Sequence, residues 1–296
     1  MTSLITALGN RDGKPTAAPN EEAWHQAWTA QVAGTAEPLV LSALGGALAD
    51  RLAWVFHAGY QGAIRHVFPS LASDRRFISY LVSEDRDGRL PAVTLSETGG
   101  GGGSLVVSGT KTWVAAAKTV GLLVVSAGWG EAQRFVLVPR DLPGVRVEPG
   151  STASFLSAMS QGRAHFERVP IPAENALAGA SQHAAFGAAE PLHVLTAINA
   201  FMFARARGWS GGESVARRAA SHLVAAEALA GRPLGSAELA VALAGLDEET
   251  GLLAEEFEPL LAEHNPDALA SWDTDRRIVS LYRRGTAARA DAASDR

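Results

Sequence analysis

The sequence predicts an α+β protein in three blocks: an N-terminal helical block, an antiparallel β domain closed as a small sandwich or barrel, and a C-terminal helical bundle. Apolar residues recur at intervals of three and four early in the chain and again after residue 190, whereas the stretch between them breaks into short β-prone runs separated by Gly, Pro and Asp. The length of 296 residues, 47% of them hydrophobic and 19% charged, suffices for one sizeable core or two to three small coupled ones. The blocks are placed at residues 1–75, 76–178 and 179–296.

In the first block an Ala-rich stretch from Trp24 to Phe68 carries Leu39, Leu41, Leu44, Leu48, Leu52, Val55 and Phe56 at helical spacing, and predicts two or three helices. In the second block, strands are expected at 78–82, 92–95, 104–107, 112–115, 122–126, 134–138 and 145–147. Five consecutive glycines at 99–103 invite a phosphate-loop reading. Such a loop needs a helix after it, however, and residues 104–108 read as another strand, so a hairpin turn is expected instead. In the third block the helical period returns from Pro191 through Leu192, Leu195, Ile198, Phe201 and Met202, with breaks at 208–212, 231–235 and 265–266. The arginine-rich end from Arg276 reads as a solvated helix face. No repeat at solenoid spacing is evident.

Composition excludes several classes of function. The net charge of −5, with no run of Lys or Arg, offers no field for phosphate backbones, so nucleic acid is not an expected partner. With no cysteine, disulfides, thiolate nucleophiles and zinc–thiolate sites are excluded, which fits a cytoplasmic protein. No metal site is expected. The first thirty residues lack the charged start and apolar run of a signal peptide, and apolar stretches elsewhere are too short or interrupted to span a bilayer.

Three stretches carry chemistry. In the first, residues 80–88, Tyr80, Ser83, Glu84 and Gly88 stand at the fixed positions of an aromatic–x–x–Thr–Glu–Pro–Gly–x–Gly segment, with Ser in place of Thr. In the second, residues 109–114, Gly109, Lys111, Trp113 and Val114 stand as Gly–x–Lys–x–Trp–Ile, with Val for Ile. The step of 26 residues from Ser83 to Gly109 needs no gap against that pattern. The third comprises residues 134–144 and 162–175. Together they resemble the flavin-binding middle domain of the acyl-CoA dehydrogenases. The resemblance covers about a third of the chain through motifs, and the helical flanks by layout.

The resemblance implies FAD as cofactor, an acyl-CoA or other acyl thioester as substrate, an electron-transfer partner, and a homo-oligomer or a hetero-oligomer with a related subunit. Carried over residue by residue, Tyr80, Val82, Ser83, Trp113 and Ala115 take the flavin-contacting positions. An aromatic ring can stack on a flat cofactor, and a hydroxyl with neighbouring backbone N–H groups can bond its polar edge. Ala115 is a departure, for the family usually has a hydroxyl there. Arg89 and Leu90 replace the family's Ser–Asp, and Arg89 there becomes a candidate for a substrate phosphate. Both helical flanks are shorter than the family's usual arrangement, and no Gln–x–x–Gly–Gly–x–Gly stretch is found.

Desaturation of a thioester also needs a carboxylate to remove the α-proton. In many family members it is a Glu just before a Gly–Thr pair near the C-terminus. Here Arg284 precedes Gly285 and Thr286, and arginine stays protonated. Glu190 is the remaining candidate, on the helix the sequence opens at Pro191, as in members that keep the base there. The same Glu ahead of a proline also suits a helix N-terminus with no catalytic purpose. His193, one turn on, is read as orienting Glu190 or a substrate carbonyl, or as filling the core. These readings imply an FAD-dependent oxidoreductase acting on the CH–CH group of an acyl thioester. The alternative is a catalytically silent homologue that binds the thioester or partners a complete enzyme.

Overall fold

The structure is a computed structural model and describes residues 3–9, 15–97, 104–128, 132–150, 154–177, 179 and 181–294. It resolves into two compact units: residues 1–74 with 185–296, and residues 75–184. The helical segments on either side of the sheets thus share one unit.

The helical unit holds α1 (Leu4–Gly9), α2 (Glu21–Gln31), α3 (Pro38–Leu48) and α4 (Leu52–Val67) from the early chain, and most of α5 (Ser181–Ala206) followed by α6 (Glu213–Ala230), α7 (Ala237–His264), α8 (Pro266–Asp275) and α9 (Arg283–Ser294). The starts follow local chemistry. Asn20 caps α2 by accepting from the Ala23 N–H, Ser236 caps α7 by accepting from Leu239, and Pro38 and Pro266 stand in the first turns of α3 and α8. The glycine-bearing segments 208–212 and 231–235 separate α5, α6 and α7. Among the described residues, no helix is long and apolar enough to cross a membrane.

α3 and α4 are buried along nearly their whole length, and glycine permits it. A Cβ on Gly46 would stand 2.2 Å from the Ala197 carbonyl oxygen, and one on Gly59 2.5 Å from the Val194 Cα. α5 therefore packs backbone to backbone against both helices. Trp24 stacks on Trp54 at 5.7 Å between centroids, and the fully buried Trp24 Nε1–H donates to His57 Nδ1 at 3.1 Å.

α5 begins ten residues before Pro191, which lies inside it. The sequence reading of Pro191 as a helix start is thereby corrected. Proline is favoured in a first turn because its missing N–H is not needed there, but a well-packed helix can also accommodate one inside, with the carbonyl four residues earlier left without its usual donor. Leu192, Val194, Leu195 and Ile198 are fully buried, and their packing holds the helix through the proline.

Among the described residues the β unit holds two four-stranded sheets. One has the order β1 (Ile78–Leu81), β4 (Leu122–Ala127), β5 (Arg134–Pro139), β8 (Ala176–Leu177); the other β2 (Thr94–Glu97), β3 (Ser104–Ala115), β7 (Gln161–Pro172), β6 (Val145–Pro149). Among the described residues every pairing is antiparallel except β1 with β4, which runs parallel with Tyr80 opposite Val124. Leu81, Val107, Val114, Leu123, Val136 and Ile171 belong to the buried apolar cluster of this unit, as the alternation of each strand requires.

The two strands expected at 104–107 and 112–115 form one, β3. Its pairing with β7 shifts register between Val107 and Gly109 and again between Lys111 and Val114, which interrupts the period-two pattern in the sequence. Gly109 at the first irregularity has φ +125° and lies so close to Ala92 that a Cβ would meet its carbonyl oxygen at 2.4 Å. β2 and β3 pair antiparallel, and the glycines at 99–103 between them lie outside the described residues.

Candidate functional site

The two motif stretches of the β unit meet through a buried ion pair. Lys111 Nζ donates to Glu84 Oε1 at 2.6 Å and to Ser126 Oγ at 3.0 Å, with the lysine side chain 1% exposed and the glutamate 9%. The same Glu84 oxygen accepts from the Val93 N–H at 3.1 Å. Burial lowers the Lys111 ammonium from its ordinary range, and the hydrogen bond and charge of Glu84 offset part of that. The Glu and Lys of the two motifs are therefore structural in this chain. Beside them the Thr112 N–H donates to the Ser83 carbonyl at 2.9 Å, which fixes residues 82–83 along β3.

The flavin-position residues divide by exposure. Tyr80 is buried, its ring stacked on Phe135 at 5.4 Å and its hydroxyl 3.0 Å from His183 Nδ1. Val82 and Trp113 are half-buried, and the Trp113 Nε1–H donates to Gln161 Oε1 at 3.1 Å. Ser83 is exposed. Ala115 is buried and its N–H donates to Ser79 Oγ at 3.0 Å, so neither its side chain nor its amide is left to offer a bond. Against a flat, polar-edged ring system, Val82 and Trp113 supply apolar surface and Ser83 a hydroxyl. These fit a flavin, with one donor fewer at Ala115.

Arg89 projects from the turn after this segment. Its side chain is 81% exposed and pairs with Asp87 at 3.4 Å. Asp85 organises the turn by accepting from the N–H groups of Asp87, Arg89 and Leu90.

Glu190 lies in the helical unit, inside α5 and well away from its N-terminus, so the helix-start explanation of this carboxylate does not apply. Burial raises its carboxyl from 4.5 to about 7, against the lowering influences of the Tyr282 hydroxyl and the Arg289 guanidinium. Tyr282 is half-buried with its hydroxyl out of solvent, and it is raised well above its usual range, by burial and then by the charge of Glu190. It opens the stretch ending at Gly285 and Thr286. The Thr286 Oγ1–H donates to Asp247 Oδ2 at 2.8 Å, and burial raises the Asp247 carboxyl as well. Folding thus brings together two positions at which the sequence sought a base, Glu190 and the segment before Gly285. Tyr282 and Asp247 escaped the sequence reading because nothing in their spacing marks them.

His193 does not orient Glu190. It is fully buried, with Nδ1 2.8 Å from Ser42 Oγ and Nε2 2.8 Å from His66 Nδ1, so both ring nitrogens are engaged elsewhere. Among the described residues, no group of three or more His, Asp or Glu is placed to hold a metal.

Helices gathered into one unit and a double sheet into the other make an α+β architecture. In particular, the chain has the acyl-CoA dehydrogenase fold. It superposes on FkbI, for biosynthesis of the methoxymalonyl extender unit of the FK520 polyketide, with a TM-score of 0.67 at 17% identity, covering 98% of each chain. A structure described as an FAD-dependent dehydrogenase matches with a TM-score of 0.61 at 17% identity, over 96% of each chain. Butyryl-CoA dehydrogenase from Megasphaera elsdenii matches with a TM-score of 0.68 at 11% identity, over 100% of this chain and 94% of that one. No family model matches the sequence, and no curated protein matches it.

Proposed function

We propose that the chain is an FAD-dependent oxidoreductase that desaturates the CH–CH group of an acyl thioester, with Glu190 as the base. The carrying observation is the Glu190 carboxyl, set by burial at about 7 and held inside α5 beside Tyr282. A base whose pKa lies near the working pH combines a useful deprotonated fraction with a strong pull on the proton. In its ionised form Glu190 takes the α-proton on a carboxylate oxygen, and Tyr282 and Arg289 favour that form. Val82, Ser83 and Trp113 hold the flavin, with Tyr80 and Ala115 packing behind them, and Arg89 contacts a phosphate of the thioester carrier. FAD, when bound, supplies the two-electron acceptor for the hydride that leaves the β-carbon.

The fold supports this reading, since dehydrogenases of this class share it. An electron-transfer partner and a homo-oligomer follow from the same reading. A second reading is favoured by Ala115, whose amide already serves Ser79. On that reading the chain is a silent homologue that binds a thioester or partners a complete dehydrogenase.

Purified protein decides between them. The enzyme reading expects a yellow protein, or one that gains a bound flavin spectrum with FAD, and whose flavin is bleached anaerobically by one member of a panel of acyl-CoA thioesters beginning with butyryl-CoA. Glu190→Gln should keep the flavin and slow bleaching by about a hundredfold or more, in the range expected for a lost general base. A protein that takes up no flavin overturns the enzyme reading. Bleaching that is unchanged in Glu190→Gln removes Glu190 as the base.

A further inference from the structure

We propose that Asp247 is a positioning residue for Glu190, anchoring α9 through Thr286 so that Tyr282 and Arg289 stand against the part of α5 that carries this carboxyl. The proposal rests on the reading of Glu190 as the base. Asp247 acts through these residues and not on the reacting atoms.

α9 has little apolar surface to hold it. Its apolar side chains are all alanines, and its single buried residue is Thr286, 2% exposed. Alanines bury little area, so a specific polar contact has to fix where the helix lies. Thr286 Oγ1 is 2.8 Å from Oδ2 of Asp247, which is fully buried on α7. The anchor holds whichever of the two supplies the proton. Thr286 also has the Tyr282 and Arg283 carbonyls within 3.1 Å, and a carboxyl raised by burial can itself donate. One turn along α7, the Arg283 guanidinium lies so close to Gly251 that a Cβ there would overlap it. The other Asp247 oxygen, Oδ1, is out of solvent with no hydrogen-bond partner among the described residues. A buried carboxyl with one oxygen unpartnered is unfavourable for stability alone. What it supplies is the placement of α9.

Tyr282, Thr286 and Arg289 follow at i, i+4 and i+7 and share one face, the Thr286 N–H donating to the Tyr282 carbonyl at 2.9 Å. The anchor thus lies between the other two. Arg289 reaches α5, where its Nη1 stands 3.8 Å from the place of a Cβ on Gly187, one turn before Glu190. The Tyr282 hydroxyl, out of solvent, and the Arg289 guanidinium are the groups that lower the Glu190 carboxyl against the effect of burial. Beyond Tyr282 stand Tyr60 of α4 and Asp247, and Arg283 acts on Asp247. Releasing the anchor withdraws both lowering groups, so the Glu190 pKa rises. A direct effect of the Asp247 charge has the opposite sign, since removing a nearby anion lowers a carboxyl. The direction of the shift therefore separates positioning from charge.

The test follows the Glu190 side-chain carboxyl by ¹³C NMR in uniformly ¹³C-labelled full-length protein, titrated between about pH 5 and 9 and assigned with Glu190→Gln. The wild-type midpoint should lie at about 7. Thr286→Val removes the hydroxyl with no change of charge, and Asp247→Leu removes its partner. Each should raise the midpoint by about half a unit or more, roughly a threefold change in the ionisation constant. The double variant should go no further than the larger single, because both act through one contact. Asp247→Asn, whose amide can donate to Thr286 or accept from it, should leave the midpoint unraised. If Asp247→Leu does not fold, Thr286→Val carries the comparison. An unchanged or lowered midpoint in Thr286→Val, or a rise in Asp247→Asn equal to that in Asp247→Leu, overturns the proposal. The titration needs neither flavin nor turnover, so it stands or falls separately from the bleaching of Glu190→Gln, which tests the base. In flavin-loaded protein, the pH profile of bleaching should shift with the midpoint.

Discussion

At the scale of single residues, burial sets the charge chemistry. Glu190 has a folded-state pKa raised from 4.5 to about 7, so its protonated form favours folding at low pH and that contribution is lost as pH rises towards 7. The full effect is at most about 3 kcal/mol, and less to the extent that solvent reaches the carboxyl. Urea denaturation at pH 5 and pH 8 should show the wild type losing stability between the two, while Glu190→Gln, which cannot ionise, holds its own. Lys111 presents the opposite case, a buried cation whose partner must not be removed. Lys111→Met should cost about 3 kcal/mol by leaving the Glu84 carboxylate uncompensated, and adding Glu84→Gln should restore part of it, both read from the urea midpoint at constant slope. The motif residues were legible as a spacing, from Tyr80 through Glu84 to Lys111 and Trp113. That Glu84 and Lys111 are bonded to each other was not, because a motif fixes positions along the chain but not which side chains meet.

At the scale of elements, glycine separates close packing from loose. Gly59→Ala would drive a Cβ to 2.5 Å from Val194 and should destabilise the protein by about 1–3 kcal/mol. Gly245, exposed inside α7 with nothing within 4 Å of a Cβ, should respond with the opposite sign, Gly245→Ala gaining about 0.5–1 kcal/mol in thermal or urea melts. Both glycines sit in helical patterns, and only the neighbouring helix distinguishes them. The sequence located the breaks at 208–212, 231–235 and 265–266 because Gly, Pro and Asn are local signals. It divided β3 because a bulge shifts the alternation, and it started α5 too late because proline is the strongest start signal at hand while the packing that overrides it is nonlocal.

At the scale of the whole molecule, exposed apolar side chains bear on assembly. Val241 and Leu252 on α7 are 49% and 44% exposed, and eleven residues is close to three helical turns, so they share one stripe; Val224 on α6 is 56% exposed. If the proposed homo-oligomer uses this surface, light scattering will give a mass that is a multiple of 30.9 kDa, and Val241→Glu with Leu252→Glu will reduce it to a single chain. A wild-type mass of one chain would refute the homo-oligomer. Composition and periodicity were enough to fix the α+β class and the helix–sheet–helix order, and the ungapped step from Ser83 to Gly109 was enough to indicate the fold. These are properties of local pattern and spacing. The gathering of both helical segments into one unit, the approach of Tyr282 and Asp247 to the Glu190 region, and the pairing of His193 with Ser42 and His66 all required the folded chain. Each depends on contacts between residues far apart in sequence, whose chemistry carries no mark of its partner until packing removes the water between them.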